Sequence, residues 1–329
     1  MIFPKFDRTT LSIKSLSCRE HDLDISVIRG LGDARISRIG RSLRAVAECV
    51  VCARSKQSAV ILMMGAHVIR SGVQNYLIDL MRRGYISCIA INGGGMIHDF
   101  EFALIGATTE KVSRYIKEGQ FGLWKETAQL NDIINSAYRE NNGVGLGEAV
   151  GRFIEGSNFP HKSISILASA YRLGIPATVH VGIGYDIIHE HPNCDGAATG
   201  GLSYNDFLKF TGVVGNLEGG VVMNFGSAIM APEIFLKALS MARNAAYGQG
   251  REIRHFTTLV CDLVKLPKNI NKEPLKNKAG YYFRPWKTML IRTIADGGKS
   301  FYVRGEHTQT IPGLWAGINE REAKVGKGN

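Results

Sequence analysis

The alternation of short apolar runs with helix-like segments is the feature of this chain that most limits its fold. Short runs rich in apolar residues occur at 59–64, 86–91, 177–182, 220–223 and 256–264. Apolar positions recur at helical spacing at 36–50, 71–81, 163–173, 204–217 and 232–245, and a further helix is predicted near Met96. Strands and helices that alternate in this way are typical of βαβ units. We therefore predict an α/β fold, a doubly wound and mostly parallel sheet with helices on both faces.

One large domain with accessory segments is the predicted organisation, because no internal repeat or low-complexity linker divides the 329 residues. Residues 1–58 are expected to form an N-terminal helical segment. Residues 59–318 are expected to form the domain that contains the sheet, and residues 319–329 a flexible tail.

The charge of the chain limits its partners. It has 40 basic and 29 acidic residues, a formal net charge of +11. Such a balance suits nucleic acid, an anionic cofactor or an acidic protein. However, the sequence contains no block of five or six like charges and no recognisable nucleic-acid module. We therefore expect no nucleic-acid partner.

The sequence also bears on the compartment. No apolar run approaches the roughly 18 residues that a membrane span requires, and the N-terminal residues include charges where a signal peptide has its apolar core. The spacing of Cys49 and Cys52 matches a redox motif, but both lie in a helical run, which favours two buried small residues. We therefore expect a cytoplasmic protein with no membrane partner.

Loops after the predicted strands are the expected ligand sites, because ligands of doubly wound sheets collect beyond the C-terminal strand ends. In residues 92–95, Asn-Gly-Gly-Gly, the glycines permit positive φ and close approach of a ligand, and the helix behind them favours an anion. A plain tight turn is the alternative. For the glycine-rich residues 143–147, which no strand precedes, the tight turn is favoured.

Two polar clusters follow predicted strands. His98, Asp99 and Glu101 begin a predicted helix, where carboxylates also serve as simple helix caps. The second cluster is the segment 186–191, Asp-Ile-Ile-His-Glu-His. Its two histidines with a nearby aspartate match a metal site, but a polar loop ended by Pro192 is favoured. We predict no metal.

Lys287 is a candidate nucleophile. It follows Trp286 and precedes the alternating residues 289–294, which are predicted to form a strand. Amphipathic packing at a strand edge is the simpler interpretation. The aromatic neighbour can also desolvate the amine and favour its neutral, imine-forming state.

Five segments occur in a fixed order along the chain. They are GAHVIRSG at 65–72, NGGGMIHDFE at 92–101, SISILA at 163–168, GGVV at 219–222 and PWK at 285–287. Together they resemble the deoxyhypusine synthase family, especially its bacterial deoxyhypusine synthase-like branch. The resemblance covers about 59–316. It implies a Rossmann-like NAD-binding domain over 59–318 and a homotetramer with active sites at subunit interfaces.

The resemblance implies a transferase. Family members oxidise a polyamine such as spermidine with bound NAD, hold its aminobutyl group as a lysine imine, and pass it to an acceptor amine. It implies Lys287 as the catalytic lysine, although the family has Trp-Gly-Lys where Trp286 here directly precedes the lysine. The partners it implies are a polyamine or small diamine and an acceptor, which can be a protein lysine.

The resemblance also implies the remaining site residues. The cofactor-binding residues are Ser71, Gly72, Asn92, Gly93, Gly94, Gly95, Asp99, Gly305 and Glu306. The substrate-binding residues are Trp286, Asp186, His189, Asn224 and Glu101. Gly305-Glu306 is similar to an Ala-Asp segment of the family that touches the dinucleotide, so Glu306 is expected to hold a ribose hydroxyl.

One departure from the family concerns the substrate. Met223-Asn224-Phe225 stands where the family has a His-His pair. Two alternatives therefore accompany deoxyhypusine or homospermidine synthesis. One keeps the fold and NAD but changes the amine or acceptor, and the other is a catalytically silent NAD-binding protein.

Overall fold

Six parallel strands form the central sheet of the protein, whose computed structural model describes residues 3–33 and 40–325. The strands are β1 (His21–Asp24), β2 (Val60–Met64), β3 (Cys88–Asn92), β4 (Ala107–Glu110), β5 (Ala177–His180), β6 (Val221–Phe225), β7 (Thr257–Asp262) and β8 (Lys299–Arg304). The sheet has the order β5-β3-β2-β6-β7-β8, whereas β1 and β4 form a separate antiparallel pair.

Helices connect and flank these strands. They are α1 (Arg41–Ser55), α2 (Ala66–Arg70), α3 (Gln74–Arg82), α4 (Gly93–Ile105), α5 (Val112–Lys117), α6 (Gln129–Glu140), α7 (Leu146–Gly156), α8 (Ile166–Arg172), α9 (Gly196–Val214), α10 (Met230–Tyr247), α11 (Arg284–Met289) and α12 (His307–Val325). None of them, within the ranges given, is both long and apolar enough to cross a membrane.

Strand β2 explains why the sheet is covered on both faces. All five of its residues are buried. Leu62 belongs to the core formed with α1, α3 and α12, and Ile61 belongs to the core formed with α9, α10 and α11. Because successive side chains point to opposite faces, an unbroken apolar strand needs helices on both sides. The predicted doubly wound α/β fold is confirmed.

The strand order creates a switch point. The chain starts the sheet at β2, proceeds outward to β5, and then returns to place β6 on the other side of β2. Met64 and Phe225 are opposite each other in the register, so β2 and β6 end together. The loops after these two strands lead away in opposite directions and leave a crevice, which is the general ligand site of doubly wound sheets.

Two predicted elements differ from the structure. The strand predicted over 289–294 is wrong, because α11 occupies Arg284–Met289 and a 3₁₀ turn follows at Arg292–Ile294. Pro285 suits a first helical turn, and Trp286, Met289 and Leu290 bury one face against the sheet. Similarly, the glycines at 93–95 do not form a loop before the helix, because α4 begins at Gly93.

The described parts of the two terminal segments contain more regular structure than the sequence predicts. The tail predicted from 319 is helical as far as Val325, and the α12 residues Glu320 and Glu322 pair with Arg44 and Arg83. The N-terminal segment contributes β1 as well as α1. Ile36 and Ile39, in the helix predicted over 36–50, lie outside the described residues.

Candidate functional site

Two glycine turns meet at the switch point. A Cβ atom on Gly65, after β2, would stand 2.6 Å from the carbonyl oxygen of Gly226, after β6. Gly226 has a φ of +65°, and a Cβ atom there would overlap the ring of His307. Side chains are therefore excluded from both turns, because the backbone of Gly226 and the ring of His307 occupy the space they would need.

Asn224 holds the second turn in place. Its Nδ2 donates to the carbonyl oxygen of Ser227 at 2.8 Å, and its Oδ1 accepts from the Ser227 amide at 3.1 Å. Both side chains are buried. The structure thus gives Asn224, expected to bind substrate, a role in positioning the loop.

The start of α12 forms one rim of the crevice. Burial lowers the pKa of His307, the carboxylate of Asp262 opposes that shift, and His67 adds to it. The buried Nδ1 of His307 has no hydrogen-bond partner among the described residues. Glu306 is exposed beside it, and the Gly305 amide donates to Asp262. Both residues of the predicted cofactor segment therefore lie at this rim.

A cavity of about 600 Å³ lies at the C-terminal ends of β3 and β5. Helix α4 contributes Gly94 and His98, the loop after β5 contributes Asp186, and α2 contributes Arg70. The charged residues of its lining are Arg19, Arg70, Lys111, Arg114, Asp22, Glu101, Glu110 and Asp186. Charges of both signs suit a ligand that is itself polar at more than one point.

The glycines at residues 93–95 make the first turn of α4, which is capped by Asn92 through a 3.1 Å bond from the Gly95 amide. None of these three glycines has a positive φ. A Cβ atom on Gly93 would overlap the carboxyl group of Asp186. The glycines therefore do not use the positive φ that they permit, and Gly93 instead makes room for a carboxyl group of the same chain.

Asp186 and His189 each have a buried polar atom without a hydrogen-bond partner among the described residues. Burial raises the pKa of Asp186 to about 6, and its Oδ2 has no partner in the part of the chain described. His189 Nδ1 accepts from the amides of Gly184 and Asp186, at 3.2 and 3.1 Å. Its Nε2 is also buried without a described partner, and burial lowers its pKa. Both remain candidate ligand contacts.

Glu101 is committed to a buried ion pair. Arg19 donates to its two oxygens at 2.8 and 2.7 Å, and Thr127 and Thr108 donate at 2.6 and 2.7 Å. Burial by itself raises the pKa of Glu101, but these bonds, above all those from Arg19, bring the pKa below its usual value. The expected contact of Glu101 with substrate is therefore corrected, because each carboxylate oxygen already accepts two hydrogen bonds within the protein.

Three residues that were expected to contact the cofactor contact other parts of the protein instead. Asp99 accepts from the Ser165 hydroxyl at 2.6 Å and from the Ile166 and Leu167 amides at the start of α8. Ser71 donates its hydroxyl to its own helix α2. A Cβ atom on Gly72 would overlap a backbone carbonyl of the N-terminal segment. These contacts correct the expected roles of Asp99, Ser71 and Gly72.

Lys287 is buried on α11. It is 3% exposed, and its Nζ lies 3.3 Å from the centroid of the Tyr281 ring. Trp286 donates its indole N–H to the Ile270 carbonyl at 2.9 Å. Lys287 is not part of the cavity lining. Helix α11 reaches the second turn through Met289, whose Sδ lies 3.4 Å from Asn224 Nδ2.

Comparison with known proteins finds likeness at the level of fold. No protein-family model and no curated protein matches the sequence. Unliganded AgrE has a TM-score of 0.51 at 14% identity, over 87% of this chain and 33% of that chain. The chain therefore spans about a third of AgrE. This likeness supports the Rossmann-like α/β fold and nothing finer.

Two further solved structures are similar. A conserved LOR/SDH protein from Methanococcus maripaludis S2 has a TM-score of 0.48 at 15% identity, over 85% of this chain and 69% of that chain. A candidate deoxyhypusine synthase from Entamoeba histolytica has a TM-score of 0.44 at 11% identity, over 89% of this chain and 90% of that chain.

Sequence reasoning did not single out Arg70, Thr109 or His307. Arg70 Nε and Thr109 Oγ1 are buried without described partners, and both residues line the cavity. Thr109 has a φ of +62°, a strained conformation for a β-branched residue. Arg70 lies shortly after an apolar strand, and this position could have identified it as a candidate site residue. Nothing in the sequence marks Thr109.

Proposed function

We propose that the protein is a nicotinamide dinucleotide-dependent enzyme that acts on a small amine-bearing substrate. The observation that supports this most is a concentration of unsatisfied polar atoms after the sheet strands. They are Arg70 Nε, Asp186 Oδ2, His189 Nε2 and His307 Nδ1. Each buried polar group left unpaired costs about 1–3 kcal/mol. A polar ligand at this edge would remove that cost.

The crevice at the switch point suits the dinucleotide. The strand order is the one that binds dinucleotides at the switch point, where the turns of Gly65 and Gly226 meet. The exposed Glu306 carboxylate stands at the rim as the acceptor for a ribose hydroxyl. When bound, the nicotinamide supplies hydride transfer.

The cavity beside α4 suits the substrate. An ammonium group of the substrate would find Asp186 and Asp22 in the lining, and a carboxylate or hydroxyl would find Arg70. Glu101 is excluded from this role by Arg19. Diamines, polyamines and basic amino acids are therefore the substrate classes to screen.

The test is calorimetry with NAD⁺ on two glycine variants. Gly226 and Gly119 share a φ of +65°, but a Cβ atom would overlap His307 at Gly226 and meets nothing within 4 Å at Gly119. Both variants therefore strain the backbone alike. We expect Gly226→Ala to lose NAD⁺ binding and Gly119→Ala to retain it. Absence of NAD⁺ binding in the unmodified protein, or an equal loss of binding in both variants, would refute the crevice as the NAD⁺ site.

Aminobutyl transfer through Lys287 is the second candidate. The observation in its favour is that the ammonium group is buried on the Tyr281 ring, since an imine-forming lysine must be desolvated. Borohydride added with NAD⁺ and spermidine should then trap an adduct on Lys287, detected by peptide mass spectrometry.

Two lysine variants make this test specific. Lys287→Arg should give no adduct while it still binds NAD⁺. Lys209→Arg is the control, because Lys209 is paired with Glu148 at the surface. Turnover of spermidine by Lys287→Arg at the normal rate would exclude the lysine imine.

A further inference from the structure

A chain of hydrogen bonds leads from Arg19 to a histidine in the cavity. Arg19 holds Glu101 through both carboxylate oxygens. The Thr108 hydroxyl lies 2.7 Å from Glu101 Oε2 and 2.7 Å from Nδ1 of His98. Apart from Arg19, these residues lie on α4 and β4, which pack against each other. The series of hydrogen bonds is therefore built into the fold.

This series of hydrogen bonds determines which nitrogen of His98 carries the proton. An ionised carboxylate only accepts hydrogen bonds, so the single hydroxyl proton of Thr108 must be donated to Glu101. The hydroxyl oxygen is then the acceptor for His98, and Nδ1 must be the protonated nitrogen. It follows that Nε2 of His98 is left with a bare lone pair.

This lone pair belongs to the cavity. His98 lines it, and Nε2 has no hydrogen-bond partner among the residues described. The charged and titratable groups around the ring are Arg70 and His67 of α2, Arg19, Glu101, and the cavity residues Asp22, Glu110, Lys111, Arg114 and Asp186. Burial lowers the pKa of His98 to about 4, Glu101 opposes this shift, and Arg70 reinforces it. The ring is therefore neutral at pH 7.

We propose that Nε2 of His98 is the hydrogen-bond acceptor for the ammonium group of the substrate in the cavity, with Thr108 and Glu101 as positioning residues. The substrate class rests on the function proposed above. The neutral ring would accept one N–H hydrogen bond and so orient the carbon–nitrogen bond of the substrate. Hydride acceptance is the chemistry that NAD⁺ would supply when bound.

The first experiment reads the tautomer without any substrate. Proteins labelled with ¹⁵N-histidine are compared by long-range proton–nitrogen NMR, and the His98 signals are assigned by their absence in His98→Gln. We expect the Nδ1–H form of His98 in the unmodified protein. Thr108→Val removes the acceptor for Nδ1 and should convert His98 to the Nε2–H form.

Thr127→Val is the matched control, because Thr127 donates to the other oxygen of Glu101 and has no bond to His98. It should leave the tautomer unchanged. An Nε2–H signal for His98 in the unmodified protein, or an unchanged tautomer in Thr108→Val, would overturn the inference.

The second experiment measures turnover with NAD⁺ and spermidine, small diamines and basic amino acids. His98→Leu removes the acceptor and should raise the KM for the amine by about tenfold or more, as expected for one lost hydrogen bond to a charged group, and leave the Kd for NAD⁺ unchanged. An unchanged KM in His98→Leu would overturn the inference. Failure of the unmodified protein to bind NAD⁺ refutes the proposed function instead, and the tautomer of His98 then decides this inference alone.

Discussion

The carboxyl group of Asp186 lies against the backbone of Gly93, where any side chain would overlap Oδ2. This contact joins the first turn of α4 to the loop after β5. It places a carboxyl group, with a pKa raised to about 6 by burial, at the mouth of the cavity. The glycine is therefore required by a neighbour 93 positions away in the chain rather than by its own backbone angles.

Gly93→Ala should therefore displace Asp186. Overpacking of this kind costs about 1–3 kcal/mol of unfolding free energy, measured by urea denaturation. Gly94→Ala is the control, because its Cβ atom would stand 3.4 Å from the Cβ of Ala66. We expect that variant to remain within about 0.5 kcal/mol of the unmodified protein. Equal stability of the two variants would contradict the contact.

Asp206 should make the stability of the protein depend on pH. Its Oδ2 accepts from the amides of Gly147 and Val179, at 2.9 and 2.8 Å, and its Oδ1 has no described partner. Burial raises the pKa of this carboxyl to about 7. The folded state thus holds the proton more tightly than the unfolded state, whose pKa is about 3.9. Stability from this group is complete below about pH 4 and is lost as the pH rises through 7.

Urea unfolding at pH 6.5 and 8 isolates this effect when the protein is compared with Asp206→Asn, because the histidines whose pKa burial lowers contribute equally to both proteins. Relative to that variant, the unfolding free energy of the unmodified protein should fall by at most about 1.4 kcal/mol per pH unit. Asp206→Asn should reduce this dependence, because an amide does not ionise. An identical pH profile for the variant would show that Asp206 is already charged in the folded protein.

The Arg19–Glu101 pair should behave as a buried ion pair. Both side chains are 1% exposed. Glu101→Gln leaves Arg19 without its counter-charge, which costs about 3–5 kcal/mol of unfolding free energy. Glu320→Gln breaks the exposed pair with Arg44 and should cost at most about 1 kcal/mol. A small effect of Glu101→Gln would mean that water reaches Arg19.

The C-terminal edge of the sheet should contact another copy of the chain. Large apolar side chains are exposed in the loops that follow β5, β6 and β7, at Ile183, Tyr185, Ile229, Leu263 and Val264. Exposed groups of this kind mark contact surfaces. We expect light scattering to give two or four times the 36.0 kDa chain mass. A monomer at micromolar concentration with full NAD⁺ binding would contradict a site completed between subunits.

The prediction from the sequence succeeded where the information is local. The wholly apolar residues of β2 require two covered faces, and the alternation of such strands with helices leaves the doubly wound sheet as the natural arrangement. The resemblance to deoxyhypusine synthases implied the same fold, and the segments 65–72 and 92–101 that carry it follow strands β2 and β3.

Individual roles depended on partners far away in the chain. Glu101 and Asp99 look alike as acidic residues in one helix, but Arg19, 82 positions earlier, holds the first and the start of α8 holds the second. Lys287 was expected at a strand edge near the cofactor, and the burial of Trp286 and Met289 turned its segment into a helix.

The sequence by itself determined the layers of this protein, because the hydrophobic periodicity of each helix and strand is a property of its consecutive residues. Only the tertiary structure decided which polar atoms are satisfied. A carboxylate, a hydroxyl or an imidazole has the same chemistry anywhere in the chain. Hydrogen bonds from Thr108 and from the distant Arg19 occupy Glu101, whereas His98 keeps one nitrogen without a partner among the described residues. That assignment depends on distances of about 3 Å, which no spacing in the sequence encodes.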